Sequence, residues 1–234
     1  ERPIPSGGVS RTRARNLGVA LLCVGVVVAA VAGGPAAGVV AAALGTLVAL
    51  YDGALKGTPL GFAAMGGCRG ANVALGMAVA AGSPAAPTAL TVPAWVYLVP
   101  VVVALYIAGV TYMAERETAT GDSRAVLVGM AGVGLAVGSV VAAAAAVGIE
   151  PRDTATLAVA GGLLVWFAAW TGRDLLTAYA DPRPGTIGPA VGTCVLGLVV
   201  LNAAVAGLLS PAWGVVAAVF VVPAVGLSTA FDVS

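Results

Sequence analysis

The sequence predicts an all-α bundle that crosses a lipid bilayer about eight times, and three observations predict it. Of the 234 residues, 60% are hydrophobic and only 9% are charged, and the mean hydropathy is +1.03. A soluble domain of this length cannot hide so much apolar surface, so lipid must solvate most of it. The apolar residues also come in continuous runs close to the roughly 20 residues that span a hydrocarbon core as a helix. They lack the apolar/polar alternation of barrel strands. Finally, the basic side chains fall between those runs with a strong bias to one side.

In order, the runs are 16–33, 36–50, 60–81, 94–113, 125–148, 154–171, 186–208 and 212–230, within one domain covering 1–234. The second and sixth are the shortest and rely on flanking residues to reach across. Ala, Val, Leu and Gly dominate, and small residues let helix backbones approach closely in lipid. The 33 glycines therefore read first as packing positions. Trp95, Trp166, Trp170 and Trp213 mostly fall near span ends, as interfacial anchors do.

Alternating the spans places Arg2, Arg11, Arg13, Arg15, Lys56, Arg116, Arg124, Arg173 and Arg183 on one side and only Arg152 on the other, while Arg69 falls inside a span. The positive-inside rule assigns the first side, with both termini, to the cytoplasm of a multi-pass membrane protein. Most carboxylates follow the same side: Asp52, Glu115, Glu117, Asp122, Asp174 and Asp181. Arginine, lysine and carboxylates converging at helix ends suit a metal-bridged phosphate. The competing reading is that interfacial loops are simply where charges survive.

The chain contains no histidine, which removes the usual general base and the commonest metal ligand. No Ser-His-Asp or Cys-His mechanism can be assembled. Metal chemistry would have to use carboxylates and other oxygen donors, the set that suits magnesium. Cys23, Cys68 and Cys194 all fall in spans without metal-ligand spacing, which argues against a disulfide framework or a zinc site. A net charge of +1 gives no ground for a nucleic-acid partner.

Four strings carry chemistry. Glu1-Arg2-Pro3-Ile4-Pro5-Ser6-Gly7-Gly8 reads as a rigid loop before a helix, with Ser10 as a candidate N-cap. Tyr51-Asp52-Gly53-Ala54-Leu55-Lys56 puts a tyrosine and a lysine at a helix end, where lysine can act as a point charge for phosphate or snorkel to the headgroups. Met65-Gly66-Gly67-Cys68-Arg69-Gly70-Ala71-Asn72 buries a charge in a span, a functional candidate by default. Arg69 and Asn72 are three apart and share a face, with Gly66, Gly67 and Gly70 leaving room around them. Pairing of Arg69 with a carboxylate between helices is the structural alternative. Tyr112-Met113-Ala114-Glu115-Arg116-Glu117, continuing to Asp122, offers two glutamates two residues apart, off a common helical face.

These strings resemble the UbiA family of intramembrane prenyltransferases. The first is similar to its R-P-(I/L)-x-S-G segment, which follows the family's first aspartate-rich motif, N-D-x-x-D-x-x-x-D. The second is similar to its Tyr-x-x-x-Lys element, with one extra residue between Tyr51 and Lys56. The third resembles the C-R-x-x-N element of the EboC-like branch. The fourth stands where the family carries D-x-x-x-D, and departs from it. The resemblance implies a UbiA-like fold that lacks its N-terminal helices and first aspartate motif, so that these residues alone would be inactive.

It further implies transfer of an isoprenyl group from a prenyl pyrophosphate to an unidentified acceptor, assisted by Mg2+. On that reading Lys56, Arg69 and Asn72 serve catalysis, Arg2, Tyr51, Lys56 and Arg69 bind substrate, and Glu115 and Glu117 hold the metal. A non-catalytic isoprenoid-binding or assembly protein of the same fold is the alternative. A secondary transporter is a third, and would need an internal repeat and a broken helix, for which Gly66–Gly70 is the one candidate.

Overall fold

The computed structural model describes residues 10–58, 60–82, 94–116, 123–146 and 154–230, which are helical with no strand among them. α1 (Arg11–Leu50) begins at Ser10, whose side chain accepts a hydrogen bond from the Arg13 backbone N–H at 3.3 Å, the N-cap expected from the sequence. It is not a straight rod. Gly34 takes φ 77°, a left-handed value that glycine alone adopts freely, and Pro35 then opens a second limb where a missing N–H costs little. The limbs fold back on each other: a Cβ at Gly45 would lie 3.7 Å from the Leu22 side chain. In a continuous helix those residues would stand about 34 Å apart at 1.5 Å per residue. α1 is thus a helical hairpin whose limbs hold the expected runs 16–33 and 36–50.

A five-residue π-helical turn, Tyr51–Leu55, leads from α1 towards α2 (Gly61–Gly82). A 3-10 turn, Ala94–Leu98, opens into α3 (Val99–Glu115), with Pro100 in the first turn of that helix where its missing N–H is harmless. α4 (Ser123–Ala146) and α5 (Thr154–Ala180) follow. α6 (Pro184–Leu209) begins after the stiff Asp181–Arg183 turn, with Arg183 as N-cap and Pro184 opening the helix. α7 (Pro211–Val219) and α8 (Val221–Ala230) divide the last apolar run at Phe220. Pro223 cannot donate to the Val219 carbonyl, which loosens the helix there.

Among the described residues, six stretches are long and apolar enough to cross a membrane: Arg11–Leu55, Ala94–Glu115, Ser123–Ala145, Thr154–Ala180, Pro184–Leu209 and Pro211–Ala230. The difference from eight has two sources. Two of the expected runs share α1, and α2 is made less apolar by Arg69 and Asn72. The run expected to stop at 171 continues to Ala180, because Leu175 and Ala178 keep an apolar face packed inward past Arg173 and Asp174.

Sequential helices pack antiparallel, and glycine makes the seams. A Cβ at Gly70 would lie 2.5 Å from the Pro100 carbonyl oxygen, and one at Gly66 would collide with the Ala104 carbonyl and the Ala108 methyl. Gly66-x-x-x-Gly70 on α2 therefore seats against Ala104-x-x-x-Ala108 on α3, the small-residue crossing that lipid favours. The same logic sets Gly109 of α3 against the Val128 backbone of α4, and Gly197 of α6 against Phe167 and Thr171 of α5. The core lies among α3 to α6, around Tyr106, Met113, Val126, Phe167, Leu175 and Leu201. There the Tyr106 hydroxyl donates to the Cys194 carbonyl at 2.7 Å, and its ring meets Phe167 edge-on at 5.7 Å.

Candidate functional site

Antiparallel packing gathers the start of α1, the π turn, the end of α3 and the starts of α2 and α4 at one end of the bundle, with the α5–α6 turn. That end carries Arg11, Arg13, Arg15, Asp52, Lys56, Glu115, Arg116, Arg124, Arg173, Asp174, Asp181 and Arg183. The charge segregation read from the sequence is thus a property of the folded chain among its described residues.

Within this end the π turn draws residues together. The Lys56 backbone N–H donates to the Tyr51 carbonyl at 2.8 Å, five residues back. An α-helix would place the fourth residue on that turn, so the π turn is one residue wider than an α-helical turn. Gly57, at φ 76°, and Thr58, whose hydroxyl donates to the Leu55 carbonyl at 2.7 Å, then redirect the chain towards α2. The Lys56 side chain is exposed.

Tyr51 is half-buried and interacts electrostatically with Glu115, Asp52 and Cys68. Cys68 in turn feels Arg69 and Asp52. Glu115 closes α3 with its carboxylate over the first residue of α2: a Cβ at Gly61 would sit 2.9 Å from Oε1 and 2.7 Å from the Leu55 carbonyl oxygen. Only a residue without a side chain lets the π turn, α2 and Glu115 meet this closely.

Beside the cluster runs an open apolar groove of about 410 Å³ between α2, α3 and α4, lined by Phe62, Leu105, Gly109, Tyr112, Val128 and Leu135. Phe62 and Tyr112 pack edge-on at 5.6 Å, and the Arg116 guanidinium lies 5.2 Å from the centre of the Tyr112 ring. A basic group, a carboxylate and two aromatic rings therefore meet at one mouth of the groove.

The candidates from the sequence fare differently. Tyr51 and Glu115 both lie at the polar end of the bundle. Arg69 and Asn72 share a face of α2, as their spacing implies, but that face is exposed and does not line this groove. Gly66 and Gly70 do not clear space for them, because α3 fills the space those glycines leave. Arg69 has no ion pair among the described residues. Arg2 and Glu117 lie outside the described residues.

Sequence reasoning missed Gly61, the Phe62–Tyr112–Arg116 stack, and a hydrogen bond at 2.5 Å in which the Thr193 hydroxyl donates to Asp174 across the α5–α6 seam. Nothing local marks that pair, since it depends on the register of two helices. Asp181 and Arg183 form an ion pair at 2.8 Å that is largely exposed, and such pairs contribute little.

Among the described residues no three carboxylates or thiols converge as a metal cage. Magnesium, however, is commonly held by one or two carboxylates, its shell completed by water and phosphate oxygens. Of the two glutamates that the resemblance names as metal ligands, Glu115 ends α3 at the polar end and Glu117 lies outside the described residues. Compared with known proteins, the chain matches no family model, no curated protein and no solved structure.

Proposed function

We propose that this chain belongs to a membrane-embedded prenyltransferase of the UbiA type, built on eight membrane-crossing segments with the polar end facing the cytoplasm. It would transfer an isoprenyl group from a prenyl pyrophosphate to an acceptor. The observation that carries the reading is the close approach of Glu115 Oε1 and the Leu55 carbonyl of the π turn over Gly61, next to Phe62 of the groove. A charged head and a long apolar tail are the two halves of an isoprenyl pyrophosphate, and this end of the bundle offers a place for each.

On this proposal Lys56 serves as a point charge for phosphate oxygens, and Arg116 neutralises charge at the groove mouth. Arg69 and Asn72, which the resemblance assigns to substrate, lie on an exposed face of α2 outside the groove and would reach substrate only from that side. Glu115 would hold magnesium. When bound, the metal would offset charge on the departing pyrophosphate. The groove takes the tail and excludes water from the reacting carbon.

Binding of farnesyl pyrophosphate to the protein in nanodiscs, with and without magnesium, tests the proposal, with farnesol as the control. Lys56→Ala and Glu115→Gln should each weaken binding of the pyrophosphate about tenfold, the scale of one charge-assisted hydrogen bond, and leave farnesol unaffected. Equal binding of both ligands, indifferent to the two substitutions, would remove the proposal. The small carboxylate set favours one second reading, a non-catalytic isoprenoid-binding protein, whose mark would be magnesium-independent binding with no product. The transporter reading loses its break, because α2 runs unbroken through Gly66–Gly70.

A further inference from the structure

One face of α2 carries polar groups at a depth where lipid offers them nothing. Phe62, Met65, Arg69, Asn72 and Gly76 recur at alternating spacings of three and four, the pattern by which one helix seats along another. Arg69, Asn72 and Gly76 are exposed, and a Cβ at Gly76 would meet nothing within 4 Å. Neither Arg69 nor Asn72 has a side-chain hydrogen bond or ion pair among the described residues.

Two contacts set their depth. Gly61 lies level with Glu115 at the polar end, and Gly70 seats against the Pro100 carbonyl, inside the Ala94–Glu115 stretch that is long and apolar enough to cross a membrane. At 1.5 Å per residue Arg69 is about 12 Å from Gly61 along α2 and Asn72 about 16 Å, close to the middle of a hydrocarbon core about 30 Å thick. Acyl chains satisfy neither group. The headgroup layer serves Arg69 alone. Cα–Cβ bonds of α2 tilt towards its N-terminus, the polar end, so a long side chain can rise that way, whereas the short Asn72 amide stays at mid-depth. A second copy brings no free carboxylate there either. Among the described residues Asp52, Glu115 and Asp181 lie at the polar end, and Asp174 accepts from the Thr193 hydroxyl across the α5–α6 seam.

We propose that this face of α2 docks a transmembrane helix of a separate protein, one that carries a carboxylate opposite Arg69. The carboxylate pairs with the guanidinium, the Asn72 amide bonds to the incoming helix, and Gly76 lets the two backbones approach. Such a helix satisfies both polar groups where they lie. This docking face stands apart from the pyrophosphate site, which rests on Glu115 and the π turn.

A synthetic leucine-rich transmembrane peptide with one central Glu tests this on the full chain in nanodiscs. Its twin with Gln is the control, and fluorescence energy transfer reads binding. The Glu peptide should bind about 3–30-fold more tightly than the Gln peptide, the range of interhelical hydrogen bonds in membranes. Arg69→Gln should abolish that preference, and Arg69→Glu should transfer it to a peptide with a central Lys. Gly76→Leu, at an open and exposed position, should weaken both peptides alike. A preference absent from the native protein, or one that survives Arg69→Gln, would overturn the proposal. Two further results would do the same. A dimer in native mass spectrometry that Arg69→Gln dissolves makes the occupant a second copy. Loss of farnesyl pyrophosphate binding in Arg69→Gln, with peptide binding unchanged, makes it a phosphate. The Lys56→Ala and Glu115→Gln measurements leave the peptide result untouched, so the two sites stand or fall separately.

Discussion

The α1 hairpin and α6 are both strongly apolar, yet their fates in the fold differ. In the most apolar window of Pro184–Leu209, 44% of residues are buried, against 11% in that of Arg11–Leu55. Hydrophobicity does not explain the difference, because lipid solvates a leucine as well as another helix does. Side-chain size does. α6 offers Ala190, Cys194, Gly197, Ala204 and Gly207 to its neighbours, and large groups such as Phe167 of α5 settle into the gaps. The first limb of α1 offers Leu17, Leu21, Val24, Val28 and Val31, branched or bulky groups that stay exposed among the described residues. Its main seam is with α2, where Gly33 meets the Val79 backbone and Gly82 presses on the Gly33 carbonyl.

If shape governs burial, substitutions should rank by what they do to a seam. Phe167→Ala should destabilise most. It opens about 100 Å³ in the α5–α6 seam, which at ~24 cal/mol per Å³ of cavity amounts to roughly 2–3 kcal/mol with no transfer term needed. Thermal unfolding in detergent measures it. Gly66→Val comes next, at about 1–3 kcal/mol for overpacking, since its Cβ meets the α3 backbone, which has little freedom to shift. Its signature should be loss of protection from hydrogen exchange in α1 and α2 before α5 and α6.

Tyr106→Phe should cost about 0.5–1.5 kcal/mol for the lost bond to the Cys194 carbonyl, read as a modest fall in the unfolding midpoint. Val31→Ala, at a side chain 82% exposed, should stay within about 0.5 kcal/mol. A loss at Val31 as large as that at Phe167 would break the comparison, because it would mean that the hairpin packs against a surface outside this chain.

The fold was legible where chemistry is local. Continuous apolar runs located the helices, the break between the runs 16–33 and 36–50 marked the turn within α1, and Ser10 marked a start. The late helix end at Ala180 was not legible, because hydropathy averages over Arg173 and Asp174 while Leu175 and Ala178 continue the inward face. The site was legible in part. Tyr51 and Glu115 stood out as polar groups at span ends, and the structure places both at the polar end of the bundle. Gly61 did not stand out, since a glycine among 33 announces nothing until Glu115 Oε1 is found where its side chain would be. Arg69 shows the opposite limit. Its spacing from Asn72 gave their shared face, but which way that face turns is decided by Gly66 and Gly70 seating on α3. Trp95 was read as an interfacial anchor, and only the fold shows its indole Nε1 buried with no hydrogen-bond partner among the described residues.

The π turn at Tyr51–Leu55 works as a slack loop in the chain's bookkeeping of length. One residue is stored there without displacing the hairpin before it or α2 after it, so the segment is a point where the sequence can be edited by a single codon. Deleting Gly53, an exposed residue with open space around it, should collapse the wide turn to an ordinary helical one and return the tyrosine and lysine to a four-residue interval. The flanking helices should hardly move. What would change is the angle at which Lys56 leaves the bundle, which makes the length of this turn a one-residue dial on where the positive charge points.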